Sequence, residues 1–363
     1  MKIALVAPPF IPVPPKIYGG TELFIAHLAE GLQKRDIKVV VYCNGESKIR
    51  AEKRWLYKQS QWPIKGELYA NLKDMNHTAW AVADAVSDCD IIHLNNLPGL
   101  VHSRFVKTPI VYTIHHPHEP GLSAFYEHYP DVNYVTISDF QRAREAMPKI
   151  RTIHHGIDLA PYKAGQKERR HLSFLGRIAP IKGPHLAIEV AKRAGIPLKI
   201  AGEVQPVFRD YFESQIKPHL DGKLIEYVGE VDLRRKNELL GSSIAMLFPI
   251  QWDEPFGLVM IEAMACGAPV LALPGGAVQE VVRDGVSGFI CRSVDELAAR
   301  AESAHEDFDA ETVRSYVLQN FSLASMAARY ADLYDEIVAP RDAALMAQSR
   351  SDKSEIAGNR AIA

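Results

Sequence analysis

The sequence predicts an α/β protein built as two doubly wound parallel-sheet domains. Short apolar runs with no polar alternation recur through both halves, at Lys2–Ala7, Val39–Tyr42, Ile110–Ile114, Leu172–Leu175 and Ile244–Ile250. Such runs mark strands buried on both faces. Helical spacing of apolar residues separates them, which is the alternation of a wound sheet. At 363 residues the chain is long enough for two domains, each with its own core. The charged, aperiodic stretch 163–170 (KAGQKERR) marks a linker. It divides 1–162, an N-terminal domain, from 163–322, a C-terminal domain. An amphipathic terminal helix over 323–340 follows, and 341–363 is polar, rich in small residues and expected to be loosely ordered.

Composition bounds the function. With 47% hydrophobic and 24% charged residues the chain reads as a soluble globular protein, and a net charge of −2 gives no basis for a nucleic-acid partner. Cys43, Cys89, Cys266 and Cys291 are widely spaced with no CxxC pair, as expected of reduced thiols in the cytoplasm. Ile3–Ala7 is too short for a signal-peptide core, and no apolar run nears the roughly 20 residues that span a bilayer. A cytoplasmic location is expected.

In the first half, the proline-rich loop 8–18 leads to Gly19-Gly20-Thr21-Glu22, which opens a helix through Leu23, Ile25, Leu28 and Leu32. Two glycines before a helix let a ligand approach the backbone. The loop matches neither GxGxxG nor a Walker A motif. Residues 48–65 mix Lys and Arg with Trp55, Tyr57 and Trp62. The segment could lie on an anionic membrane surface, but a solvated helix and loop is preferred. Asp88-Cys89-Asp90 precedes a strand instead of following one, so it reads as a helix end and not a metal site. Ile110–Ile114 runs into His115-His116-Pro117-His118, at the carboxyl end of a strand, where an open sheet places its ligand crevice. Tyr134–Ser138 is a further strand and Asp139–Met147 a short helix. His155 is assigned no chemistry.

In the second half, Arg177 and Lys182 share the loop between a strand and the helix Pro184–Ala194. Two cations at a strand end suit a diphosphate, Arg as a bidentate fork and Lys as a point charge. The most informative stretch is Phe248–Gly288. Glu254 and Glu262 lie eight apart across a loop-to-helix junction, with the helix expected over Phe256–Ala265. The free amides of Phe256, Gly257 and Leu258 then lie between two carboxylates. Helix-start amides suit an anion, and ionised carboxylates hold sugar hydroxyls. Phosphate in the middle with sugars on both sides is one arrangement this implies; the other is a plain helix-entry acid at Glu254 and a solvated helix residue at Glu262.

Glu-x7-Glu within EPFGLVMIEAMACGAPVLA resembles the paired-glutamate signature of retaining glycosyltransferases of family 4, which have the GT-B fold. GRxxxxKG at 176–183 and GGTE at 19–22 agree, and the resemblance covers about residues 1–340. It implies that two Rossmann-like domains face one another across a cleft, the first serving the acceptor and the second a nucleotide-sugar donor. It implies a hexosyl transfer to an acceptor hydroxyl, UDP-sugar being the favoured donor. Arg177, Lys182 and the amides of Phe256, Gly257 and Leu258 would hold the departing diphosphate, approached by Gly19 and Gly20. Glu262 would bind the ribose and Glu254 the transferred sugar. His115, or its neighbour His116, would orient that sugar. No protein nucleophile, cofactor or metal is expected. A sugar-nucleotide epimerase and a non-catalytic nucleotide-sugar binder are the alternatives. The acceptor stays open among a small metabolite, a natural-product scaffold and a lipid-linked sugar.

Overall fold

The computed structural model describes residues 1–17, 19–62, 64, 66–163 and 169–339. Seven parallel strands form the first sheet: β1 Lys2–Val6, β2 Lys38–Tyr42, β3 Glu52–Arg54, β4 Ile91–Leu94, β5 Ile110–Ile114, β6 Asn133–Thr136 and β7 Ile150–Thr152. Six parallel strands form the second: β8 His171–Leu175, β9 Leu198–Ala201, β10 Ile225–Gly229, β11 Ser243–Phe248, β12 Val270–Ala272 and β13 Gly288–Ile290. The spatial orders are β3-β2-β1-β4-β5-β6-β7 and β10-β9-β8-β11-β12-β13. Both sheets therefore reverse direction once, between β1 and β4 and between β8 and β11. In a wound sheet that reversal leaves a crevice at the carboxyl ends of the strands.

Each sheet carries apolar cores on both faces. Ile3, Leu5 and Val41 point to one side of the first sheet and Ala4, Val6 and Val40 to the other, which is why these strands read as unbroken apolar runs. Helix over 323–339 packs against the first sheet although it follows the second domain in sequence. Leu323, Met326, Tyr330 and Tyr334 join Ile3, Leu5 and Phe24. A buried polar chain fixes it there: the Tyr334 hydroxyl lies 2.6 Å from His93 Nδ1, His93 Nε2 lies 2.8 Å from Thr113 Oγ1, and Thr113 Oγ1 lies 3.0 Å from the Tyr330 hydroxyl. Buried hydroxyls and imidazoles satisfied in this way specify one docking position.

A second tie joins the two halves. Both oxygens of Glu280, in the helix Val278–Val281, accept backbone amides of the first domain, from Asp139 at 2.7 Å and Phe140 at 2.6 Å. His154 Nε2 stands 3.0 Å from the same carboxylate. Asp139, His154 and Glu280 thus bring three ligand-type atoms within 4.8 Å of one another, a proximity these hydrogen bonds account for.

Several expectations need correction. Residues 48–65 hold no helix among the described positions; they contribute the edge strand β3, paired in parallel with β2. Its residues, Glu52, Lys53 and Arg54, are charged because only one edge of the strand is covered. Arg54 is tied to Asp84 at 2.6 Å and to Asp88 at 2.8 Å. Asp88 is thereby a structural partner of Arg54 and Lys2. The helix after Ser138 spans only Asp139–Arg142. The helix expected from Phe256 begins at Leu258. Linker positions 164–168, and the tail 341–363 with residue 340, lie outside the described residues. Among those described, no helix is long and apolar enough to cross a membrane.

Glu22, in the first turn of the helix Gly20–Gln33, is only 6% exposed, and burial raises its carboxyl to about 7. Its folded pKa exceeds the ordinary value of 4.5, so the stability it contributes is present below that value and is lost as pH rises through about 7. Glu22→Gln should therefore gain on the order of 3 kcal/mol over wild type between about pH 4 and pH 8 in urea unfolding. A difference that does not change with pH contradicts this burial.

Candidate active site between the two sheets

The carboxyl ends of both sheets turn toward a shared cavity of about 430 Å³. Gly20, Thr21, His115, His116 and His155 line it from the first domain. Arg177, Lys182, Trp252, Glu254 and the segment 255–259 line it from the second. Of the residues expected at a site from sequence, Gly20, His115, Arg177, Lys182, Glu254, Phe256, Gly257 and Leu258 meet here. Glu262 and Gly19 are not among the lining residues of this cavity; Lys236, which holds Glu262, lines a recess beside it.

β11 ends in the loop carrying Glu254. That loop is supported from below by the turn after β12: the amide of Ala277 donates to Glu254 O at 2.8 Å, and Gly276 has φ +57°. A Cβ on Gly276 would fall 2.1 Å from Glu254 O, so only glycine fits. Gly257 then takes the left-handed conformation, φ 84°, and starts the helix Leu258–Ala265 with no side-chain cap. The amides of Gly257 and Leu258 meet no acceptor among the described residues. Both residues line the cavity, so a helix start with free N–H donors borders it. Across the gap stands the other glycine-led helix start. A Cβ on Gly20 would come 3.7 Å from Leu258 Cδ1. Gly19, at φ +148°, leaves no room for a side chain beside Glu22 Oε2 and Pro15 Cβ, 2.8 and 2.9 Å from an added Cβ.

The two glutamates are held alike. Glu254 is 8% exposed, and its Oε2 accepts Lys182 Nζ at 2.5 Å and Trp252 Nε1 at 2.8 Å. Glu262 is 2% exposed, and its Oε1 accepts Lys236 Nζ at 2.5 Å and the Tyr162 hydroxyl at 2.8 Å. Each carboxylate is thus anchored through one oxygen by a lysine and an aromatic donor. The other oxygen has no hydrogen-bond donor among the described residues. Lys182, expected to face a diphosphate, instead pairs with Glu254 and lies 4.2 Å over the Trp252 ring. Burial lowers its pKa, with Glu254 acting in the opposite direction. Arg177, after β8, makes no ion pair among the described residues, and its Nε is enclosed with no hydrogen-bond partner among them.

On the facing wall, Asn95 follows β4 and His115 follows β5. The Asn95 amide nitrogen donates to Val6 O at 3.2 Å, so its Oδ1 is the acceptor that meets His115 Nε2 at 2.9 Å. That arrangement puts the proton on Nε2 and leaves Nδ1 as an acceptor toward the cavity. Burial, aided by His116, pushes the His115 pKa down to about 3, so the ring is neutral. His116 has both nitrogens engaged, with Pro117 O at 2.7 Å and the Tyr126 hydroxyl at 2.5 Å. The geometry therefore distinguishes the two neighbours in favour of His115 as the ring with a nitrogen to spare.

Sequence reasoning missed Tyr162, Lys236, Asn95 and Trp252. Only Trp252, two residues before Glu254, lies close enough to have been noticed. Beside the main cavity, Glu203, Glu230, Val231, Lys236 and Val259 line a smaller recess contiguous with Arg177 and Ile17.

Two wound parallel sheets that turn their ligand-binding ends toward one cleft define the GT-B class of fold. A family model described as Glycosyl transferases group 1 matches residues 161–315, and one described as Glycosyltransferase Family 4 matches 18–161. The chain belongs to this family of glycosyltransferases. Spore coat protein SA of Bacillus subtilis is 23% identical over 352 residues, covering 84% of this chain and 89% of that protein. A glycogen synthase of Mycobacterium tuberculosis is 30% identical over 204 residues, 52% of this chain and 49% of its own length. Among solved structures, sucrose-phosphate synthase from Thermosynechococcus elongatus superposes with a TM-score of 0.77 at 19% identity, covering 93% of this chain and 99% of that one. Anabaena HepE in complex with UDP and glucose gives 0.73 at 20% identity, covering 93% and 100%. The sequence resemblance and the GT-B expectation are both upheld.

The Lys182–Glu254 pair is buried, so removing one partner strands the other charge. Lys182→Met and Glu254→Gln should each cost about 3 kcal/mol in denaturant unfolding, and the double variant clearly less than their sum. Additive losses would show that the two groups are not coupled.

Proposed function

We propose that this chain is a retaining, metal-independent glycosyltransferase that moves a hexosyl group from a UDP-sugar to an acceptor hydroxyl. The observation that carries the reading is the pair of half-anchored glutamates flanking an uncapped helix start, with Arg177 beside it. A nucleotide diphosphate sugar is complementary to that order of groups. The Glu262 Oε2 oxygen accepts ribose hydroxyls. The amides of Gly257 and Leu258, with Arg177, hold the diphosphate. The Glu254 Oε1 oxygen and His115 Nδ1 accept hydroxyls of the hexose. HepE, of the same fold, was solved with UDP and glucose, which supports uridine as the base and glucose as the first sugar to try.

In this reading the bond between the anomeric carbon and the diphosphate oxygen breaks as negative charge gathers on the diphosphate. Arg177 and the helix-start amides stabilise that charge where it develops. The acceptor oxygen bonds the anomeric carbon on the face the diphosphate leaves. Its proton passes to a departing phosphate oxygen, so no side chain acts as nucleophile. Lys182 contributes by holding Glu254 rather than by touching phosphate. Cationic and amide groups supply the charge stabilisation that a metal supplies elsewhere, so transfer activity is expected to survive EDTA. Activity lost to EDTA and restored by a divalent ion would overturn that part of the reading.

UDP near millimolar concentration should raise the thermal midpoint of the wild type more than GDP or ADP does, by mass action on the folded state. Glu262→Ala should reduce that shift. A wild type that no nucleotide stabilises would remove the support for a donor site.

A further inference from the structure

His155 follows β7 and enters the cavity wall between the two domains. It is 5% exposed. Its ring stacks on His115, centroids 5.7 Å apart and planes 14° from parallel. Phe24 lies 4.8 Å away on one side, and Phe256 meets it edge-on at 5.0 Å. Phe256 precedes the amides of Gly257 and Leu258, so this imidazole stands next to the anion-binding helix start. Neither ring nitrogen makes a hydrogen bond among the described residues, and Nδ1 is enclosed with no partner. A phenyl ring would fill the same aromatic slot without the cost of an enclosed, unsatisfied nitrogen.

We propose that His155 is a second sugar-binding imidazole, whose ring takes a hydroxyl of the donor's hexose beside His115. This rests on the donor reading given above. Burial first, then His115, His154 and His27, holds the His155 pKa well below its ordinary value, so the ring is neutral. A neutral imidazole carries one N–H and one acceptor nitrogen, which complements a hydroxyl and not a diphosphate. Its place between His115 and Phe256 lies where a hexose attached to a diphosphate at the Leu258 helix start meets the first domain. His115, anchored through Nε2, offers an acceptor only. His155, anchored through neither nitrogen, is free to settle its tautomer on the ligand.

Calorimetric titration of UDP and of UDP-glucose into wild type, His155→Phe and His155→Asn tests this. UDP reports on the diphosphate and ribose groups, and serves as a fold control for each variant. His155→Phe should leave UDP affinity unchanged and weaken UDP-glucose roughly five- to tenfold. His155→Asn, which keeps a short polar group, should weaken UDP-glucose without touching UDP, and it carries the test if the phenylalanine variant does not fold. UDP-glucose bound as tightly by the variants as by wild type, with UDP unchanged, makes His155 an aromatic filler and overturns the inference alone. An unchanged donor affinity with a raised acceptor KM overturns it too, placing the ring at the acceptor. Failure of UDP to bind wild type removes the donor reading, and the inference falls with it.

Discussion

Two carboxylates held by one oxygen each set the character of this cleft. A buried glutamate with no partner is costly, and one with both oxygens saturated is inert toward a ligand. Here a lysine ammonium and an aromatic donor share a single oxygen of each: Lys182 and Trp252 on Glu254, Lys236 and Tyr162 on Glu262. The charge is compensated and the side chain oriented while the second oxygen stays available. Neutralising cations this close let two carboxylates flank an uncapped helix start without surrounding it with net negative charge. The glycines serve the same end from below. Gly276 admits the backbone of Glu254, and Gly257 turns the chain so that the helix begins where its amides face the cavity.

The cleft has meaning only if two sheets keep their relative position, and the ties between them lie outside it. The helix over 323–339 returns to the first sheet and is fixed by the His93, Thr113, Tyr330 and Tyr334 relay. On another side, Glu280 caps Asp139 and Phe140 across the boundary. The first tie is apolar over most of its area. The second is a few hydrogen bonds near the surface, and is the easier to part.

Much of this was legible in the sequence, for definite reasons. Strands covered on both faces must be continuous apolar runs, so β1, β2, β5, β8 and β11 stood out. Glu254 and Glu262 could be placed on either side of a helix start because loop and helix spacing are local properties. Three of the four three-residue strands, β3, β7 and β13, were not legible because they carry no continuous apolar run, and β3 is entirely charged because it is an edge. The helix start moved two residues, from Phe256 to Leu258, because Gly257 adopts a positive φ that composition does not reveal. The partners of the glutamates were hidden for a different reason. Tyr162 is 100 residues from Glu262 in sequence and meets it only through the fold. Nor can a sequence tell whether Lys182 faces a ligand phosphate or a neighbouring carboxylate; the structure puts it on Glu254. His155 was passed over because an imidazole in the turn His154-His155-Gly156-Ile157-Asp158 carries no signal until its unpartnered nitrogens are seen.

The central claim is that the open oxygens of the two glutamates receive hydroxyls, Glu262 those of a ribose. The most direct test compares the affinities of UDP and 2′,3′-dideoxy-UDP for wild type and for Glu262→Ala. Wild type should bind the dideoxy compound at least roughly tenfold more weakly than UDP, and the variant should bind both alike, because the acceptor of those hydroxyls is gone. A wild type indifferent to the ribose hydroxyls, or a variant that still discriminates between the two compounds as wild type does, would contradict the account.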